Sequence, residues 1–311
     1  MPVRILLIGP TAVGKTSVSL DLAEQLDAEI ISADSRQCYK YMNIGTATPS
    51  QEELNRIPHY NISIIDPSVK DSAADYYDRA MNWEQEIKAK GKHILYSGGS
   101  TLHQQCIIKP FDDIPDANEK HIAELEQRID EEGLESLFAQ LQEVDPEYAA
   151  GMDGMNPQRI VRALDVWMQT GKPFSSFHSD DDHFELPPDT YVFGLRRDRE
   201  NLYRRINQRV DLMFEKGFLN EVRSILDMGY SLEDPGLNTV GYKEAIAHLQ
   251  GKLNRKSMIT DMKTQTRRYA KRQITWFKRW NFVQWINLDE TNNAGAVEKV
   301  LQHLAAKSNK D

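Results

Sequence analysis

The sequence predicts an α/β fold in which a parallel sheet core carries an inserted helical lobe. Three observations carry the prediction. An apolar strand, Val3–Ile8, runs through a glycine-rich turn into a helix. The first third of the chain then keeps alternating strand and helix, which implies parallel strands joined by right-handed crossovers. From Pro115 to about Ser175 the alternation stops, and acid-rich helical periodicity takes its place.

The elements follow in order. After Val3–Ile8, the helix Lys15–Leu26 has Val18, Leu22 and Leu26 on one stripe. Glu29–Ser32 is a second strand, ending at Ala33-Asp34-Ser35. Ser72 with Asp75 three residues on reads as a helix N-cap, and Gly91 as the C-cap of that helix. His93–Tyr96 is a third strand, ending at Ser97-Gly98-Gly99-Ser100. Thr190–Leu195 returns to the sheet, and helices follow at about Asp198–Lys216, Phe218–Met228 and Tyr242–Gln250. A long basic helix spans about Arg255–Lys278, Phe282–Ile286 is a last strand, and Ala294–Ala306 a closing helix. Pro173–Pro188 is the most linker-like segment. The expected division is residues 1–115 with 176–311 as the core, and 116–175 as the lobe.

The turn after the first strand, Gly9-Pro10-Thr11-Ala12-Val13-Gly14-Lys15-Thr16, is a phosphate-binding loop in its proper setting, so the core is P-loop NTPase-like. Gly9 and Gly14 let the backbone curl until several N–H groups aim at one anion. Lys15 adds a mobile charge, the Thr16 hydroxyl can hold Mg²⁺, and the following helix turns its positive end toward the phosphates.

Composition bounds the rest. The 311 residues are 40% hydrophobic, enough for a real core. Met1-Pro2-Val3-Arg4 leads directly into a strand with no secretory segment. No apolar stretch approaches the roughly 20 residues that span a bilayer, so a cytoplasmic protein is expected, with no membrane partner. Cys38 and Cys106 are the only cysteines, which suits a reducing compartment and disfavours a Cys-based metal site. His59, His93 and His103 have no metal-ligand spacing, and Trp83 and Trp167 fit helix core positions.

Net charge is −9, yet Lys263–Trp280 carries Lys263, Arg267, Arg268, Lys271, Arg272, Lys278 and Arg279 with no acid. Local charge decides where a polyanion docks. The stretch reads either as a solvated basic helix face or as a polyanion site. Tyr269, Trp276, Phe277 and Trp280 among those cations, as stacking on bases requires, favour the second.

Asp34, at the C-terminal end of a strand beside the phosphate loop, has three readings: Mg²⁺ ligand, general base for an acceptor, or a turn residue capping local N–H groups. The strand ending in Ser97-Gly98-Gly99-Ser100 lacks the terminal Asp that organises Mg²⁺ in many NTPases, which counts against a hydrolytic motor. Arg205 and Arg209 share one helix face and either clamp a leaving diphosphate or simply face solvent. Arg159 and Arg162, three apart on the lobe, form a similar pair.

These segments, with Ile31–Gln37, Ile44–Ala47, Pro58-His59, Asp145-Pro146, Pro157–Leu164, Val240–Tyr242 and Ala270–Trp276, occur in one order. The chain resembles the tRNA isopentenyltransferase (IPP transferase) family from about residue 4 to residue 280. The resemblance implies transfer of a dimethylallyl group from its diphosphate to the exocyclic amine of the adenosine 3′-adjacent to the anticodon. The partners implied are dimethylallyl diphosphate and the tRNA anticodon stem-loop, with Mg²⁺ as cofactor. No protein partner is implied, and a monomer is expected.

The site residues follow from the same resemblance. Asp34 would be the base, and Arg209, Lys15 and Thr16 would stabilise the departing diphosphate, with Thr16 the metal ligand. Gly9, Thr11, Ala12, Val13, Gly14, Lys15 and Thr16 would bind the diphosphate. The tRNA-contacting positions would be Asp34, Ser35, Arg36 and Gln37; Thr101 and Pro115 on the path of the flipped adenosine; Gln158, Arg159, Ile160, Val161 and Arg162; Asn238, Thr239, Val240, Gly241, Tyr242 and Lys243; and Lys271, Arg272, Gln273, Thr275, Trp276 and Phe277. Val13, Ser100, His103 and Asn156 depart from the residues usual in the family. A P-loop kinase or NTPase acting on a small molecule, and a tRNA-binding paralogue without catalysis, are the competing readings.

Overall fold

The computed structural model describes residues 2–109, 114–177 and 186–308. They separate into two compact units, Met1–Lys109 with Leu186–Asp311, and Pro110–Glu185. Within the linker-like stretch Pro173–Pro188, residues 178–185 lie outside the described residues.

The first unit is built on strands β1 (Arg4–Ile8), β2 (Ala28–Ser32), β3 (His59–Tyr60), β4 (His93–Ser97), β5 (Thr190–Arg196) and β6 (Gln284–Asn287). They form one sheet in the order β3-β2-β4-β1-β5-β6, and every adjacent pair is parallel. Helices cover both faces of such a sheet, so its central strand must be apolar throughout. Ile5, Leu6, Leu7 and Ile8 are accordingly all fully buried. The strand expected as the third is therefore the fourth. The two-residue β3 precedes it, too short for any alternation to announce it.

Helix α1 (Lys15–Leu26) has the bounds its periodicity predicted, with Val18 and Leu22 buried. The short α2 (Gln51–Arg56) begins in a Ser50/Glu53 capping box, and α3 (Ala73–Ala89) in a Ser72/Asp75 one. Helix α4 (Thr101–Ile108) follows β4, and its cap is Ser100, whose hydroxyl accepts the His103 N–H at 3.4 Å.

The second unit is helical: α5 (Glu119–Glu132), α6 (Leu134–Val144), α7 (Pro146–Ala150), α8 (Pro157–Thr170) and a 3₁₀ turn at Phe174–Phe177. Leu125, Leu137, Leu141, Ile160 and Leu164 form its core. Asn156 caps α8 by accepting the Arg159 N–H at 3.1 Å. Asp165 is buried and accepts from Arg162 (2.7 Å) and Gln169 (2.9 Å).

The first unit resumes with α9 (Arg199–Glu215), α10 (Phe218–Asp227), α11 (Tyr242–Leu249), α12 (Arg255–Phe277) and α13 (Asn293–Ser308). Phe218, Val222, Tyr242, Met258 and Met262 of α10–α12 make a second core around Cys38, Tyr39 and Met42.

In the helical unit, Asp145 is buried and saturated. It caps α7 through the Tyr148 N–H (3.0 Å) and accepts both the N–H and the hydroxyl of Ser175, each at 2.7 Å. Asp145→Ala removes a cap and strands two half-buried donors of Ser175, so we expect a loss of about 2–4 kcal/mol in urea unfolding. The exposed Glu143→Ala should stay within about 0.5 kcal/mol of the wild type.

Candidate active site

The loop between β1 and α1 is forced into shape by its glycines. Gly9 has φ +147, and a Cβ there would lie 2.6 Å from the Leu195 carbonyl oxygen. Gly14 caps α1 at φ 119 with no side-chain hydrogen bond, leaving the first-turn N–H groups of the helix to an anion. Lys15 curls back, and its Nζ donates to the carbonyls of Gly9 and Pro10, both at 2.9 Å. Burial pulls the Lys15 ammonium down to about 8, with Asp34 pulling it up and Arg209 pushing it down.

Two arginines brace the loop from its carbonyl side. Arg197 Nε donates to Val13 O (2.9 Å) and its Nη1 to Leu288 O and Asp289, both at 2.8 Å. Arg205 Nε donates to Ala12 O at 2.9 Å. Cations on these carbonyls favour orientation of the peptide N–H groups inward, where an anion binds. Burial lowers the Arg205 pKa, and the neighbouring Arg197 adds to the effect.

Asp34 leaves the end of β2. Its Oδ1 accepts the N–H of Arg36 (2.9 Å) and of Gln37 (3.4 Å), an Asx-type turn that fixes the carboxylate. Gln37 accepts the Ser32 hydroxyl (2.9 Å) and donates to Ala47 O (3.0 Å). Arg209 Nη2 donates to Thr46 O at 3.2 Å, and burial lowers its pKa while Asp34 counteracts. The loop 43–45 is itself gripped by Glu221, which accepts the N–H groups of Asn43, Ile44 and Gly45 at 2.8, 2.6 and 3.1 Å. Tyr242 donates its hydroxyl to the same carboxylate at 2.7 Å.

Two cavities meet on these residues. One, of about 370 Å³, lies over the phosphate loop and the ends of β2 and β4. Among its lining residues Lys15, Arg205 and Arg209 face a single carboxylate, Asp34, so it suits an anion. The other, of about 310 Å³, is walled by Asp34–Arg36, Gly45-Thr46, Asn238–Lys243 and Met262, Thr266, Tyr269 and Arg272 of α12. Thr11, Asp34, Arg209 and Tyr269 line both.

The expected phosphate-binding residues Thr11, Ala12, Gly14, Lys15 and Thr16 line the first cavity, whereas Gly9 and Val13 do not. Val13 is fully buried in the main core, so its side chain is a packing group. Several positions expected to contact tRNA turn their side chains inward in the same way. Ile160 and Val161 are buried in the core of the helical unit. Tyr242 is buried and bonded to Glu221, Phe277 is fully buried, and Gln273 is only 3% exposed. Each sits on the apolar face of its helix, although Tyr242 and Gln273 still edge the cavities. Arg162 is committed to Asp165 and to the Pro115 carbonyl. Lys271 and Thr275 are exposed and Trp276 half-buried on α12, and Thr101 opens α4; all four lie outside both cavity linings.

Of the histidines, His103 is buried and stacked on Tyr76 at 3.9 Å, and burial depresses it to about 3, so it is neutral. His93 accepts the Val3 N–H at 3.0 Å, and His59 lines the first cavity. Trp83 and Trp167 are half-buried on their helices. Two residues that brace the loops around the site, Arg197 and Glu221, do not emerge from the sequence. Arg197 was findable as a charge just past a strand end beside the loop, but nothing local marks Glu221.

The family model for IPP transferase matches residues 37–280. A tRNA dimethylallyltransferase of Salinibacter ruber is 44% identical over 94% of this chain and 90% of its own length. The tRNA dimethylallyltransferase 1 of Bacteroides thetaiotaomicron is 41% identical over 93% of each chain. Among solved structures, the full-length tRNA isopentenylpyrophosphate transferase of Bacillus halodurans superimposes with a TM-score of 0.73 at 34% identity, covering 100% of this chain and 98% of that one. A eukaryotic dimethylallyltransferase acting on tRNA gives 0.82 at 26% identity, covering 99% of this chain and 79% of that one.

Removing the Arg197 brace should be felt at the anion. With Arg197→Ala we expect inorganic diphosphate to bind about tenfold more weakly by calorimetry without RNA, the scale of a single charged hydrogen bond. The exposed Arg223→Ala should leave binding unchanged.

Proposed function

The chain belongs to the IPP transferase family, and from that premise we propose that it transfers a dimethylallyl group from dimethylallyl diphosphate to the exocyclic amine of the adenosine 3′-adjacent to the anticodon of tRNA. The products are isopentenyladenosine and diphosphate. The observation that carries this reading is the junction of the two cavities at Thr11, Asp34, Arg209 and Tyr269. An anionic donor in one cavity and a nucleobase in the other would both adjoin the one carboxylate.

The chemistry follows from the charges. The allylic C–O bond breaks as the amine nitrogen bonds to the same carbon, so positive charge grows on the allyl group and negative charge on the leaving oxygen. Lys15 and Arg209 stabilise the latter, and Arg209 acts most as charge develops. The amine proton passes to Asp34, whose Oδ1 is already anchored by two backbone N–H groups. The adenosine must leave its stack to reach this carboxylate. The second cavity, with Arg36, Lys243 and Arg272 on its walls, suits that approach. Gln158 and Arg159 of the helical unit are further candidates for RNA contact.

The exposed Thr16 hydroxyl stands on the first cavity wall, and no cluster of three His, Cys, Asp or Glu occurs among the described residues. That donor set fits Mg²⁺ held chiefly by diphosphate oxygens and water, with Thr16 as the protein ligand. Mg²⁺ bound there would neutralise diphosphate charge. Among the described residues no helix is long and apolar enough to cross a membrane, and we place the protein in the cytoplasm with its tRNA substrate.

Asp34→Asn keeps the Oδ1 acceptor of the turn and removes the base. Single-turnover transfer should fall about 10²–10⁴-fold with tRNA affinity within a few-fold; transfer at the wild-type rate would remove Asp34 from its role. Arg209→Ala should lower kcat more than donor affinity, and a pure affinity loss would contradict the assignment.

Arg268 and Arg272 are exposed on α12. Neutralising both should weaken tRNA binding. The slope of log affinity against log salt should flatten by about one for each phosphate that is no longer neutralised. An unchanged slope would make this helix face merely solvated.

A further inference from the structure

Gln273 stands where an apolar residue belongs. Helix α12 buries Met258, Met262, Ala270, Gln273 and Phe277 along one stripe, and Gln273 is the polar member. A buried amide is costly unless both of its ends are bonded. Here both are. Its Oε1 accepts the Thr11 N–H at 2.9 Å, and its Nε2 donates to the Gly99 carbonyl at 2.7 Å. Room for that amide is made by glycine, since a Cβ on Gly99 would lie 2.4 Å from Nε2.

The three tied segments are all walls of the site. Thr11 belongs to the phosphate loop and lines both cavities. Gly99 lies in the β4–α4 turn, whose backbone also bonds back to Ala33, next to Asp34. Tyr269, one helical turn before Gln273, lines both cavities, with Arg272 5.8 Å from its ring centroid. Other faces of the same helix expose Arg268, Lys271 and Arg272. Any displacement of α12 on engagement of its cationic face would therefore act on the amide.

We propose that Gln273 is a positioning residue that couples RNA engagement on α12 to the geometry of the phosphate loop, acting through Thr11 and Gly99. The inference rests on the transferase reading above. By linkage, RNA and diphosphate then alter each other's affinity by one common factor, and the Gln273 amide carries it.

The test measures inorganic diphosphate binding to the whole protein by calorimetry, with and without an unmodified anticodon stem-loop, alongside steady-state transfer. For the wild type we expect the stem-loop to change the diphosphate Kd at least fivefold. Gln273→Met fills the same space without either hydrogen bond. It should bring that factor to near one and lower kcat at least tenfold, while the KM for RNA stays within about threefold. Gly99→Ala pushes the amide aside from the opposite wall and should lose the same coupling, which keeps the test available if one variant folds poorly. An unchanged factor in a folded variant, or no coupling in the wild type, overturns the proposal. A wild-type protein that makes no prenylated adenosine overturns the transferase reading instead, and product analysis separates the two failures.

Discussion

The site depends on how closely backbone can approach backbone at the carboxyl ends of three strands. At Gly98 a Cβ would stand 2.0 Å from the Ala33 carbonyl oxygen. Only glycine lets the turn after β4 lie against the end of β2. The approach is laced by hydrogen bonds: Ala33 N–H to Ser97 O at 2.9 Å, Ser100 N–H to Ala33 O at 3.1 Å, and Gly98 N–H to Leu7 O at 3.4 Å. Asp34 is the next residue after this clamp, so its place beside the phosphate loop is set by backbone geometry. Gly9 makes a comparable approach to Leu195 on the other side of β1. A parallel sheet puts strand ends together; the glycines decide how near their loops come.

The second constraint is electrostatic. Lys15, Arg205 and Arg209 crowd one cavity, and each has its pKa lowered by burial. Such a cluster is tolerable because the cations lie against carbonyl oxygens: Gly9 and Pro10 for Lys15, Ala12 for Arg205, Thr46 for Arg209. These bonds are placeholders in energetic terms. A diphosphate offers the same donors a full negative charge, and charge-assisted bonds are roughly twice as strong as neutral ones. The preorganised cluster therefore favours a polyanion over water. It favours most the state in which the bridging oxygen has taken up the electron pair of the broken bond.

Much of this was legible in the sequence, for physical reasons. The loop and α1 were read to the residue because a strand, two glycines and a 3.6-residue stripe all agree there. The helical unit was legible as periodicity without strands. What was not legible was the facing of residues inside a motif. Ile160, Val161, Tyr242, Gln273 and Phe277 stand in segments that the resemblance assigns to RNA, yet each side chain is buried. A segment match fixes a stretch of chain, and the helical period then divides that stretch between solvent and interior. Glu221 was illegible for another reason. Its partners Asn43, Ile44 and Gly45 lie more than 170 positions away in sequence, and no local pattern encodes a brace across that distance.

Val13 shows how the two kinds of constraint meet in one residue. A hydroxyl at this position could be read as a ligand to the anion. The valine side chain is fully buried among the residues that seat the loop on the sheet, and its Cγ1 lies 3.3 Å from where a Cβ on Gly9 would be. Its carbonyl is held by Arg197. Packing below and a guanidinium on the carbonyl together fix the peptide plane between Val13 and Gly14. The apolar side chain does this without needing a hydrogen-bond partner of its own. Val13 thus seats the loop by packing and leaves the anion to the backbone and the cations. The chemistry does not require a side-chain oxygen from every position of a phosphate loop, only that the peptide units be held still.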